Sequence, residues 1–474
     1  MNDITTSSKY WKTFRSIKLA LFTVSILTIM SCTEDEEVTI SKVNANFTST
    51  SVGISEAISS ADIQVQFSRT IDEDITVQIQ VAATLEYGAD KDYFTTPALI
   101  DDLITLSAPA GTQSVSFSVS AGEALNISED RTLIFSLISA GSVDYTVGAE
   151  ATVAVVFSEN FLATSGIMEL DAGGADFTKQ AFMDLSKGLQ LTYDKYSWDL
   201  GLYSDEGFNV VLNAPAYVMA RKLDKSDMAS VTAEDTAGFA GQMVIPQFDP
   251  SIGSSAWVDT PDGNLTTTAF GEISAIDSEN SVYIIKRDGE SRNWKKVRVL
   301  RSGTGYTLQY ANISSSTFQS MEVPKNDTHN FVSIDLDNGI ITTEPEKNNW
   351  DLQYGTYTEL LNFGGPSTFI PYGFNDFIVI NRHNTEVAMV LLDDMAYESI
   401  SLASIASLSF ETEVNAFGSS WRKGGGPGSG PTLYDDRFFV IKDSEENYYK
   451  IKFNRLTSTS GERGYPEFSY EIVQ

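Results

Sequence analysis

The chain is poor in the residues that usually carry catalysis. Its 474 residues hold two histidines, one cysteine and 64 acids against 32 bases. Ser-His-Asp and Cys-His nucleophile arrangements therefore have little material. Paired carboxylates could cleave a glycosidic bond, but among so many acids no pair is distinguished. The chain reads as a non-enzyme, with a glycan-active enzyme as the distant alternative. The run Gly424 to Gly430 lacks the Gly-Lys-Ser/Thr ending of a phosphate loop and reads as a surface loop. Trp198 and Trp350 present ring faces on which a sugar or porphyrin could stack, although core packing is the simpler reading of each.

The lone thiol is placed for acylation. Lys9, Lys12, Arg15 and Lys18 lead into an apolar run from Leu19 to Met30, followed by Ser31 and Cys32. A basic n-region, a short apolar h-region and a small residue at the cut mark a secretory signal. The run is shorter than the roughly twenty residues a helix needs to cross a bilayer. Cleavage between Ser31 and Cys32 would make Cys32 the first mature residue. Ile29-Met30-Ser31-Cys32 resembles the bacterial lipobox, departing from it at Ile29 and Met30. The resemblance implies diacylglycerol on the sulfur and a palmitate-like chain on the nitrogen, and several chains anchor firmly to a bilayer. Glu34, Asp35, Glu36 and Glu37 come next. They read as a solvated tether, or, by likeness to the acidic export signal of some lipoproteins, as an address on the outer face of the outer membrane. The expected location is the outer membrane, lipid-anchored and facing the cell exterior.

Loss of 1–31 removes four bases and Asp3 and takes the formal charge from −32 to −35. So acidic a surface repels phosphate backbones and disfavours nucleic acid. With no second cysteine, neither a disulfide framework nor a disulfide-linked partner is available. Apolar residues alternate with period two at 63–68, 75–82 and 115–120, and again in YIIKRD, KVRVLR, YTLQYA, FFVIKD and KIKFNR. This predicts an all-β, or at least β-rich, fold. One helical turn is expected after Asp393.

Residues 41–160, after the 32–40 tether, carry seven or so short strands and predict an immunoglobulin-like antiparallel β-sandwich. Ser51-Val52-Gly53-Ile54-Ser55-Glu56, Ala89-Asp90-Lys91-Asp92-Tyr93 and Glu129-Asp130-Arg131-Thr132 resemble the Calx-β domain. That resemblance implies Ca²⁺ candidates at Glu56, Asp90, Asp92 and Asp130. The chain departs from the metal-binding members at Ser120-Ala121-Gly122-Glu123, where they carry consecutive aspartates. Because Ca²⁺ asks for six to eight oxygens, a spacer with solvated acids is the alternative.

The remainder contains a repeat. FMDLSKG (182–188) matches SIDLDNG (333–339), Trp198-Asp199-Leu200 recurs as Trp350-Asp351-Leu352, and Ile284-Ile285-Lys286 as Val440-Ile441-Lys442. Matches in constant order at a near-constant offset define two related units, 165–322 and 325–474. Each opens with a hairpin, leads to a Trp-Asp strand and closes with paired strands whose Lys and Arg are expected to face water. The Asp-Leu-x-x-Gly turn, the Trp-Asp strand, Asn447 to Phe453 and Gly461-Glu462-Arg463-Gly464-Tyr465-Pro466-Glu467-Phe468 resemble the HmuY family of bacterial lipoproteins. This resemblance implies antiparallel β units, haem as a ligand and a TonB-dependent receptor as a partner. Haem needs one or two axial donors, usually His or Met, and His383 and Met389 are the candidates. His329 reads as a linker residue, and Met219 and Met395 as filler. The expected function is capture of haem or another small ligand at the cell surface. The alternative is an adhesin or receptor accessory that recognises a protein or glycan without a cofactor.

Overall fold

The computed structural model describes residues 42–474 apart from 57–58, 128–129, 142–143, 246–251, 289–291, 363–368 and 426–429. Ser31, Cys32 and the acidic tether lie outside the described residues, as does the centre of the glycine run. The fold is all-β in character, with 3-10 turns and a single helical turn at Leu402–Ile405, where one was expected. No helix among the described residues is long and apolar enough to cross a membrane.

The first domain is the expected sandwich, with ten strands among its described residues where seven or so were expected. Ile75–Ala82 shows why it forms: Ile75, Val77, Ile79 and Val81 point inward while the residues between them stay outside, the period-two pattern of a half-buried strand. Phe67, Phe117, Phe135 and Phe157 fill the space between the two five-stranded sheets. Pairing is antiparallel except at the split first strand. Its halves, Val43–Phe47 and Ser51–Ile54, pair in parallel with Tyr145–Val147 and Thr152–Phe157, so that Tyr145–Val147 closes an edge of one sheet and Ser51–Ile54 an edge of the other.

The sequence repeats do not close as two separate bodies; they exchange their leading strands. The first lobe stacks sheet Val210–Leu212, Leu200–Tyr203, Phe331–Asp335, Gly339–Ile341 on sheet Met219–Lys222, Tyr283–Lys286, Lys295–Ser302, Gly305–Asn312, Gln319–Val323. The second stacks Leu189–Asp194, Lys179–Asp184, Leu352–Asn362, Phe369–Ile380 on Ser165–Glu169, Glu467–Ile472, Tyr448–Arg455, Arg437–Lys442, Glu386–Leu391. The hairpin of the first repeat therefore sits in the lobe of the second, and the reverse. Seen along the chain, the first lobe is continuous and is inserted between the parts of the second. Hydrophobic cores fill the two sheet pairs, centred on Leu200, Val297 and Ile334 in one and Met183, Tyr354 and Phe468 in the other.

Each lobe carries an insertion that covers the outer face of its five-stranded sheet. Residues 223–282 bring Met228, Val231, Phe239 and Met243 over Met219 and Ile284. Residues 392–436 bring Ile400 and Ile405 over Val390, Phe438 and Val440. This overturns the expected solvation of three strand lysines, while Lys452 stays exposed. Lys296 is only 1% exposed, and its ammonium donates to the carbonyls of Met228 and Val231 at 2.9 and 2.6 Å. Lys295 and Lys450 are buried too. The long stems of these side chains pack as apolar matter while their heads find acceptors, so alternation alone could not reveal the extra layer.

The sandwich is joined to the second lobe along that lobe's edge strand. The N–H of Ile167 donates to the carbonyl of Thr48 at 3.0 Å, Ser49 bridges Gly166, and Gln66 donates to Glu467. An edge strand with free hydrogen-bonding groups is a site of unwanted pairing; here the sandwich occupies it.

Candidate functional site

The repeated Trp-Asp motif holds the exchange together. The Asp199 carboxylate accepts from the N–H of Leu336, in the hairpin turn of the second repeat, at 2.8 Å. Asp351 accepts from Leu185, in the hairpin turn of the first, at 2.8 Å. Each turn ends on a glycine with positive φ, Gly188 at 66° and Gly339 at 96°, a region that costs glycine least. Asn213 and Asn381 complete the symmetry. Asn213 donates to the carbonyls of Lys195 and Trp198, and Asn381 to those of Lys347 and Trp350. Motif, turn and amide thus fix both tryptophans where the four-stranded sheets of the two lobes face each other.

The charges around the two aspartates are not symmetric. Asp199 is bonded by Arg287 at 2.8 Å and by Arg292, and Arg287 also reaches Asp335 and Asp337. Burial pushes the Asp199 carboxyl up and the two guanidiniums pull it back; two cations on one oxygen keep it ionised at neutral pH. The counterpart of Arg287 in the second repeat is Asp443. Asp351 consequently has Asp184, Asp443 and Glu445 as electrostatic neighbours, and burial together with Asp184 pushes its carboxyl well above the usual range. Asp184 is raised as well, chiefly by burial, and its Oδ2 is buried without a partner.

Between the outer faces of the two four-stranded sheets lies a cavity of about 120 Å³. Phe182, Trp350 and Tyr357 wall it from the second lobe, and Trp198, Val211 and Phe331 from the first. The segment 258–264 closes one side, held across the gap by Tyr357 donating to the Pro261 carbonyl at 3.1 Å and Arg382 donating to that of Gly263 at 3.2 Å. Three half-buried ionisable groups line it. Asp259 accepts from the N–H groups of Leu212 and Ala269 at 2.6 and 2.9 Å, and burial pushes it up to about 6. Glu344 accepts from Phe331 N–H at 3.0 Å, and burial pushes it up to about 7. Arg382 lies over the Phe331 ring, its guanidinium 4.9 Å from the centroid. Two polar atoms in the wall, Trp350 Nε1 and Asn330 Oδ1, are buried without a hydrogen-bond partner. The repeat explains the first of them. Trp198 Nε1 donates to Gln180 Oε1 at 3.0 Å, whereas the residue at the matching place beside Trp350 is Phe331, which has no acceptor.

The family model for the HmuY protein matches residues 176–470, well over half of the chain. The chain belongs to the HmuY family. That family is one of binding proteins rather than enzymes. No curated protein matches the chain. Among solved structures, the apo-form Calx CBD1 domain is 14% identical, covers 25% of this chain and 96% of its own, and has a TM-score of 0.21. A putative carbohydrate binding protein from Bacteroides ovatus is 10% identical over 91% of this chain and 98% of its own, with a TM-score of 0.20. A two-domain protein from Bacteroides fragilis is 8% identical over 36% and 79%, with a TM-score of 0.19. Scores this low carry no argument about ligand or mechanism.

Within the HmuY region the expected haem donors are not brought together. His383 lies in the turn before Glu386–Leu391, with its N–H on Asn381 Oδ1; burial, and then Lys347, lowers its imidazole. Met389 is 49% exposed on the strand beyond, its sulfur 3.5 Å from Arg437 Nη1. Neither lines the cavity. Met219 is core, Met395 belongs to the second insertion and packs against its apolar cluster, and His329 bonds Asn326 and Thr328 in the linker. The Ca²⁺ candidates also stay apart in function. Glu56 N–H donates to Glu159 Oε1, Ser158 donates to Asp130, and Asp92 accepts from Glu86 N–H. Asp90 sits in that same turn. Among the described residues no group of three or more His, Cys, Asp or Glu is placed to hold a metal. The residues that do converge, Asn330, Glu344, Asp259 and Arg382, were not singled out by sequence. They are scattered over more than a hundred positions, and the one available signal was the exchange of Gln180 for Phe331 between the repeats.

Proposed function

We propose that this HmuY-family protein is a non-enzymatic lipoprotein of the cell surface that captures a small ligand in the cavity between its lobes. In this reading acylated Cys32 anchors it, the sandwich carries the lobes outward, and an outer-membrane receptor of the TonB-dependent type receives the ligand. The observation that carries the reading is the cavity itself. It is walled by aromatic rings on matched faces of the two lobes, and two of its lining residues, Trp350 and Asn330, carry a buried polar atom that has no partner. Binding sites in folded proteins are concave, mostly apolar and furnished with a few fixed polar groups. The donor placement favours a ligand other than haem, which keeps recognition of a glycan without a cofactor within the same reading.

Ser333 stands where the other repeat has Phe182, which packs edge-on against Trp350 with centroids 5.0 Å apart. Ser333→Phe is expected to fill the first-lobe side of the cavity and leave the fold intact. In a thermal-shift screen of small molecules, compounds that stabilise the parent protein should lose their effect on the variant. Equal shifts in both proteins would place the binding site elsewhere. Surface display has its own check. Protease added to intact cells is expected to degrade the chain, and full protection until lysis would overturn the outward-facing assignment.

A further inference from the structure

We infer that the interlobe cavity is built for a neutral, hydroxyl-bearing ring of about the size of one sugar residue, either free or as the end of a glycan. This inference rests on the capture reading and adds the chemical class of the ligand. Size comes first. One water needs roughly 10–15 Å³ of such volume, so a cavity of about 120 Å³ corresponds to a ligand of roughly ten non-hydrogen atoms. A pyranose is of that order and a porphyrin is several times larger.

Charge comes second. Two of the lining residues carry a buried polar atom without a partner, one a neutral donor, Trp350 Nε1, and one a neutral acceptor, Asn330 Oδ1. The charged groups in the wall are already committed. Asp259 is held by two N–H groups and Glu344 by Phe331 N–H, and Arg382, which donates to the Gly263 carbonyl over the Phe331 ring, already has both of these carboxyl groups as its electrostatic partners. A charged ligand would lose its hydration without gaining a counter-ion, which is costly in a buried site. A hydroxyl can both accept from the indole and donate to the amide oxygen. Shape comes third. Trp198, Trp350, Tyr357 and Phe331 set apolar faces around those two atoms, and a ring with apolar C–H faces and a polar rim satisfies both kinds of surface.

The test is titration calorimetry on the purified full chain with glucose, galactose, mannose, N-acetylglucosamine and hemin, together with a glycan array. At least one neutral sugar should bind and quench tryptophan fluorescence. Trp350→Phe keeps a ring but removes the N–H, and should weaken that sugar about tenfold, the worth of one hydrogen bond, without lowering the melting temperature. Ser333→Phe should abolish binding. Binding of the free sugar marks a monosaccharide ligand, and binding only on the array marks a chain end; either supports the inference. If no sugar binds while hemin or a charged molecule binds and is lost in Ser333→Phe, the ligand class is wrong and the capture reading survives. If every ligand found binds Ser333→Phe as it binds the parent, both fall.

Discussion

Asp199→Asn is expected to cost about 3–5 kcal/mol of folding stability, the range for removing one partner of a buried, hydrogen-bonded ion pair. Asp199 is fully buried and is the shared acceptor of Arg287 and Arg292. An asparagine there can still accept from Leu336 N–H, but it turns a neutral amide toward two guanidiniums that have left water. Urea unfolding of the purified variant would measure the loss. A change below about 1 kcal/mol, the usual worth of an exposed pair, would show that the cluster is solvated and does not clasp the exchanged hairpin.

The same substitution at the matching place of the other repeat should act in the opposite direction. Asp351 has carboxylates around it where Asp199 has guanidiniums, so its folded form holds a proton that the unfolded chain releases near the ordinary carboxylate range. The sign follows from that difference. A carboxyl raised on folding contributes stability fully below the unfolded value near pH 4, and that contribution is lost as pH rises through the folded value. The window therefore opens near pH 4 and extends up through the raised range of Asp351, while Asp184, pushed up to about 6 chiefly by burial, adds its own loss over the same span. Each pH unit over which the folded protein holds one extra proton removes about 1.4 kcal/mol. Asp351→Asn keeps an acceptor for Leu185 N–H and can donate its amide toward Asp184. It is therefore expected to match the parent near pH 4 and to exceed it by about 1–3 kcal/mol above pH 7. Urea midpoints collected from pH 4 to 8 would test this. A constant loss at every pH would mean that the carboxyl is needed as a charge.

The sequence made the strands and the repeat legible but not who pairs with whom. Ile75 to Val81 alternates so regularly that only a half-buried strand accommodates it. The two hairpins, by contrast, carry nearly the same pattern: Ala181 and Met183 face one core just as Val332 and Ile334 face the other. Either hairpin would satisfy either lobe by hydrophobicity alone, so the exchange left no mark on periodicity. What specifies it is polar, the aspartate of each Trp-Asp motif meeting the other repeat's turn, and in the sequence that aspartate stands only as a matching point between the repeats. The cavity was hidden for a related reason. Trp198 and Trp350 were visible as a pair, and core packing was the simpler reading of each. In the structure Trp350 is buried and Trp198 half-buried, and both serve as wall, because the layer they cover ends at an interface between lobes.

The nesting of one lobe inside the other also sets an order of assembly. The strands of the first lobe follow one another along the chain and can close as soon as Ile341 is available. Gly166 has to wait for Tyr470, about three hundred residues later, and pairings so remote in sequence form slowly because the intervening chain must first be gathered in. During that interval the waiting strand already has Thr48 and Ser49 along one side. The sandwich is thus more than a spacer: it shelters the seam on which the last strand of the protein must land.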